Sequence, residues 1–62
     1  MNMKFFEYGH LPLKLQAVSK PLGLLAMDME VTVPDGAEKS AGMRKLLEAK
    51  DCFVRAMLEK KD

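Results

Sequence analysis

Hydrophobic positions fall into two blocks on either side of Pro34-Asp35-Gly36. In the second block Met43, Leu46, Leu47, Phe53, Val54 and Met57 return at helical spacing, and Ala49 and Ala56 widen their face. Arg44, Glu48, Asp51, Arg55 and Glu59 follow another face at steps of three and four. This is the period of an amphipathic helix, and opposite charges at that spacing add ~0.2–0.5 kcal/mol per pair. Pro34-Asp35-Gly36 is a turn signal. Asp35 and Glu38 have the three-residue spacing of a reciprocal capping box. The pattern predicts a helix over 36–60.

The first block has two periods at once. Leu22, Leu25, Ala26, Met29 and Val33 fit one helix face, whereas Met27, Met29, Val31 and Val33 alternate with Asp28, Glu30 and Thr32 as a strand would. Leu11, Leu13 and Leu15 also alternate, so a β-hairpin turning at Pro21-Leu22-Gly23 competes with a helix. Length and the prevalence of Leu, Met, Ala, Gln and Lys before Val31 favour the helix, and a two-stranded ribbon would leave both edges open. Pro21 lacks an N–H and crowds the preceding turn. The expectation is therefore a kinked helix over 13–33, a short turn to Ser19 and a main segment from Pro21. The tight link makes the two helices antiparallel neighbours. Ahead of them, 1–12 is an arm holding Phe5, Phe6 and Tyr8, three of the four aromatics. The whole, 1–62, reads as one all-α domain.

Length then changes the picture. A chain of 62 residues buries only ~60% of its unfolded surface. Disulfides, metals or self-association usually make up the deficit. One cysteine, Cys52, forms no internal bridge, and Cys52 with His10 makes a poor metal set. Self-association is left, and the expectation is a homo-oligomer with Phe5 and Phe6 plugging a subunit interface. A net charge of +1 argues against binding duplex nucleic acid. No apolar run approaches the ~20 residues of a membrane helix, and the start lacks the apolar core of a signal peptide. The unpaired cysteine suits a reducing cytoplasm.

Candidate chemistry is sparse. There is no phosphate loop, no paired cysteine and no second histidine, so no catalytic set is expected, and His10 with Cys52 lacks a third group to orient it. Tyr8 has a ring face on which a nucleobase could stack, although packing alone would also explain it. Gly9 beside it allows close approach of a backbone. Ser19 and Lys20, near a helix start, suit a phosphate, against the plainer alternative of a cap and a solvated lysine. Arg55 has Asp51 and Glu59 as ready ion partners, and Lys39 with Ser40 lies where helix N–H groups are unpaired.

The residues taken together resemble a known family. The runs Phe6-Glu7-Tyr8-Gly9-His10-Leu11-Pro12, Leu15-Gln16-Ala17-Val18-Ser19-Lys20-Pro21 and above all Ala37-Glu38-Lys39-Ser40-Ala41-Gly42-Met43-Arg44-Lys45-Leu46-Leu47-Glu48-Ala49-Lys50-Asp51-Cys52 are similar to those of the phage anti-CBASS sponges. The resemblance runs from about Phe5 to Met57. It implies a helical hairpin assembled as a hexamer in the host bacterial cytoplasm, without cofactor or catalysis. Such an assembly sequesters cyclic dinucleotides such as cyclic GMP-AMP between subunits, and in some members cyclic trinucleotides in a second pocket. Tyr8, with Gly9 and His10, would match the base-stacking position, Lys20 with Ser19 the phosphate contact, and Arg55 the second pocket. Val31-Thr32-Val33, Leu24 and Met27 are more β-branched or apolar than the family pattern. The competing reading is an adaptor that binds a host protein through its apolar faces, and a small DNA-binding regulator is a third.

Overall fold

A computed structural model of the protein describes residues 2–59. A 3-10 turn, Met3–Phe6, is followed by two long helices, α1 (Leu13–Thr32) and α2 (Ala37–Glu59), which form a hairpin. The all-α expectation holds for the described residues, and the expected helix end at Lys60 lies outside them.

Each helix forms for local reasons, some of them different from those expected. Pro12 occupies the N-cap position of α1, and its carbonyl accepts from the N–H groups of Leu15 and Gln16. The Gln16 side chain donates to the Leu11 carbonyl at 2.7 Å, which fixes the entry. Pro21 sits inside α1 without ending it, and the expected short turn to Ser19 and main segment from Pro21 belong to one helix. Proline deletes the bond that its N–H would give to the Ala17 carbonyl. Ala17, Lys20, Pro21 and Leu24 are all exposed, so that carbonyl lies on a solvent-facing side where water serves. The strand-like alternation of 27–33 gives way to helix as far as Thr32.

The turn differs as well. The first intrahelical bond of α2 runs from Ser40 N to Gly36 O, which makes Gly36 the cap residue rather than Asp35. Gly36 holds φ 158°, a value that side-chain-bearing residues adopt reluctantly. Asp35 instead takes the Lys39 ammonium at 3.0 Å, and Lys39 also donates to the Glu30 carbonyl at 2.8 Å and lies 3.4 Å from the Glu30 carboxylate. One lysine thus satisfies an orphan carbonyl at the end of α1 and clamps the hairpin shut. The hydrogen bond from Lys39 holds Asp35 below its ordinary 3.8. The same bond, opposed by desolvation, holds Lys39 above its ordinary 10.5.

The core is small. Among the described residues Phe6, Leu15, Ala26 and Met43 are the buried hydrophobics; Phe6, Ala26 and Met43 form one cluster, with Met3, Met29, Leu46 and Leu47 packed against it. The molecule measures 42 × 18 × 14 Å, and its thinnest dimension is little more than one helix diameter of ~10–12 Å. A single layer shelters residues on few sides. Phe5, Leu13, Leu24, Leu25, Met27, Val31, Phe53 and Leu58 consequently stay exposed. Phe6 corrects an expectation: it is only 4% exposed within its own protomer, so it is core and not an interface plug. Phe5 is exposed.

Candidate functional site

The arm docks on α1 through a glycine. Asn2 Oδ1 accepts from Lys4 N at 2.9 Å and starts the 3-10 turn, which points Phe6 inward. The chain then passes over Gly23, a buried position of α1. A methyl group placed on Gly23 would stand 2.9 Å from the Phe6 carbonyl oxygen and 3.2 Å from the edge of the Tyr8 ring. Only a residue without Cβ lets arm and helix approach this closely. Beyond Tyr8 the chain turns, with Leu11 N donating to Tyr8 O at 3.0 Å.

Beside this contact is an open hollow of about 610 Å3 between the arm and α1. Met3, Phe6, Tyr8, Met27 and Val31 give it apolar walls, and Lys4, Glu7 and Glu30 supply charges. Its size is within the ~300–1,000 Å3 usual for small-molecule sites. Of the residues expected at the dinucleotide site, Tyr8 lines the hollow, whereas Gly9, His10, Ser19 and Lys20 do not. Helix geometry nevertheless keeps Lys20 close. It precedes Gly23 by three residues, and such positions are surface neighbours about one turn apart. Lys20 is exposed. Ser19 is different: it is 1% exposed and its Oγ finds no hydrogen-bond partner. A buried hydroxyl left unpaired costs ~1–3 kcal/mol. Gly9 and His10 are exposed in the turn, with open space around Gly9.

The residue expected at a second pocket stands elsewhere. Arg55, far along α2, donates from Nη2 to Cys52 Sγ at 3.3 Å. Its anticipated partner Asp51 pairs with Lys50 at 2.9 Å instead. A smaller hollow of about 360 Å3 opens on the seam between α1 and α2, lined by Leu25, Met29, Gly42 and Leu46 among others.

Two features escaped the sequence reading. Gly23 was singled out only as part of the competing hairpin turn, yet it is the seat of Tyr8 within α1; an isolated glycine within an apolar helical pattern was the available signal. Lys39 looked like a candidate anion ligand, yet its three oxygen partners occupy it. Among the described residues no helix is long and apolar enough to cross a membrane. Comparison with protein-family models, with curated proteins and with solved structures finds no match.

Proposed function

We propose that the chain is a homo-oligomeric sponge, most simply a hexamer, that binds cyclic dinucleotides between its subunits and sequesters them uncleaved, so blunting CBASS signalling in an infected bacterium. The observation that carries this reading is the Tyr8 ring, seated on Gly23 beside an open, largely apolar hollow, with Lys20 one helical turn away. A flat aromatic platform next to a free cation suits a purine joined to a phosphate. The family resemblance of the sequence supplies the ligand class.

The chemistry divides simply. A base stacks on Tyr8 near Gly9 and His10. The phosphate meets Lys20, at ~1.5–3 kcal/mol for a charge-assisted bond. Ser19 is buried, so the phosphate contact falls to Lys20. Glu7 and Glu30 in the hollow repel phosphates but accept from the N–H edge of a purine such as guanine. A two-fold interface supplies every group twice, which matches the two bases and two phosphates of a cyclic dinucleotide and sets one ligand per two protomers. A cyclic trinucleotide pocket at Arg55 is a subsidiary proposal.

The exposed Phe5, Leu13 and Val31 also suit the rival adaptor reading, which needs no nucleotide. Titration calorimetry with a panel of cyclic dinucleotides and trinucleotides separates the two. The sponge binds a cyclic dinucleotide at micromolar or lower concentration and releases it intact on denaturation. No heat of binding across the panel at micromolar protein overturns the reading.

A further inference from the structure

Glu30 belongs to two structures at once. It lines the Tyr8 hollow, and it is also part of the clamp at the hairpin turn. There the Lys39 ammonium lies 3.4 Å from its carboxylate and donates to its backbone carbonyl at 2.8 Å. Gly23, Met27 and Glu30 follow one another at steps of four and three, so they share one face of α1. Glu30 therefore stands two turns beyond the seat of Tyr8, about 10 Å along the helix axis. Met27, 56% exposed, lies between them as an apolar floor. The Lys39 side chain is 9% exposed and the Glu30 side chain 38%. A buried cation thus tethers a carboxylate that still reaches open space. An ionised carboxylate has about four acceptor positions, and one ammonium does not use them all.

We propose that Glu30 reads the base, and that the hollow takes guanine in preference to adenine. The proposal rests on the nucleotide reading above and adds which purine the site selects. A purine laid over Met27 with its ring on Tyr8 turns an edge toward Glu30. Guanine presents two adjacent donors on its pairing edge, N1–H and the N2 amino group. Adenine presents one amino group beside a bare ring nitrogen. A carboxylate only accepts, so it can take both guanine donors at once, whereas it sets lone pair against lone pair at the adenine nitrogen.

An organic cation is the other ligand that carboxylates beside an aromatic ring suit. The charge balance favours the neutral base. Lys39 already matches Glu30, and Lys4 offsets Glu7 within the lining of the hollow. What remains to be offered is acceptor lone pairs rather than net negative charge.

Tyr8 is the one tyrosine of the chain, so the ring signals of tyrosine-labelled full-length protein report this site in an NMR titration. The probes are GMP, IMP, AMP and the cation agmatine at millimolar concentration, then cyclic di-GMP and cyclic di-AMP. GMP should half-saturate the Tyr8 shift at a concentration at least about fivefold below AMP, the low end of what a two-pronged contact to a base supplies. IMP, which keeps N1–H and lacks the N2 amino group, should fall between them, and this arm needs no variant. Glu30→Gln, with its helical circular dichroism retained, should bring GMP and AMP together. AMP binding as tightly as GMP, a folded Glu30→Gln that keeps the wild-type ratio, agmatine acting below GMP, or no Tyr8 shift with any mononucleotide overturns the proposal. A preference for GMP with neither cyclic dinucleotide binding more tightly than its mononucleotide supports the guanine subsite and overturns only the sponge.

Discussion

Gly23→Ala tests whether the arm depends on one missing Cβ. In an open helix, alanine would gain ~0.5–1 kcal/mol over glycine by reducing backbone entropy in the unfolded chain. At this position the new methyl would stand 2.9 Å from the Phe6 carbonyl oxygen and 3.2–3.4 Å from two Tyr8 ring carbons. The carbonyl is backbone and cannot rotate away, so the arm must shift or lift. Lifting it returns Phe6, now 4% exposed, to water at a cost of ~1.5–3 kcal/mol. The balance is a loss of ~1–2 kcal/mol. For a chain of this size each kcal/mol is worth about 4–8 °C, so the thermal midpoint should fall by about 5–15 °C. Tyr8 is the one tyrosine and there is no tryptophan, so tyrosine emission reports the arm alone. Its anisotropy should drop in the variant before any helix unfolds. A midpoint above wild type with unchanged Tyr8 anisotropy would refute the close-approach argument. Comparisons must hold protomer concentration fixed, because assembly shifts apparent stability.

Other outcomes follow from the same geometry. Tyr8→Ala and Lys20→Ala should each weaken cyclic dinucleotide binding at least tenfold in calorimetry without changing the sedimentation mass; normal binding by both would place the site elsewhere. Pro21→Ala restores the N–H that α1 lacks and should raise stability to denaturant by ~1–3 kcal/mol; an unchanged midpoint would mean that the proline is strain-free. For pH dependence, Asp35 is held below 3.8, so its contribution is present above that value and is lost as pH falls through the lowered one. Lys39 is held above 10.5, so its share is present below 10.5 and is lost as pH rises through the raised value. Asp35→Asn should therefore flatten the fall in thermal midpoint as pH drops below 3.8, and an identical acid profile would dissolve the clamp.

The second helix was legible because its signals agreed: 36–60 was expected and Ala37–Glu59 is helical, with period, charge spacing and turn residues all pointing one way. The first helix was legible in type and extent, 13–33 against Leu13–Thr32. Proline has a local cost that sequence shows, whereas the exposed Ala17 side that tolerates it is a property of the fold. The strand-like run ending in Val33 left helix and strand in competition for a similar reason. Met29 packs against the core while Val31 is 87% exposed, so the alternation was not the pattern of a buried sheet face. The roles of Phe5 and Phe6 were inseparable from spacing alone, because a two-residue aromatic pair carries no period; a 3-10 turn decides which one enters the core. At the site, Tyr8 was visible as an unexplained aromatic and Lys20 as a cation beside a proline. The seat of Tyr8, Gly23, was not, since close approach between arm and helix is a long-range event. Arg55 was drawn toward Asp51 by the i,i+4 rule, but Lys50, one residue from Asp51, took that carboxylate first.

The central claim is sequestration by an assembly of this chain. Native mass spectrometry of the full protein, before and after addition of cyclic GMP-AMP and related cyclic dinucleotides, tests it most directly. The account predicts one oligomer whose subunit number does not change, which gains one intact cyclic dinucleotide per two protomers and gives up the same mass of ligand on unfolding. A monomer, or an oligomer that gains no cyclic dinucleotide or trinucleotide mass at micromolar concentration, would contradict it.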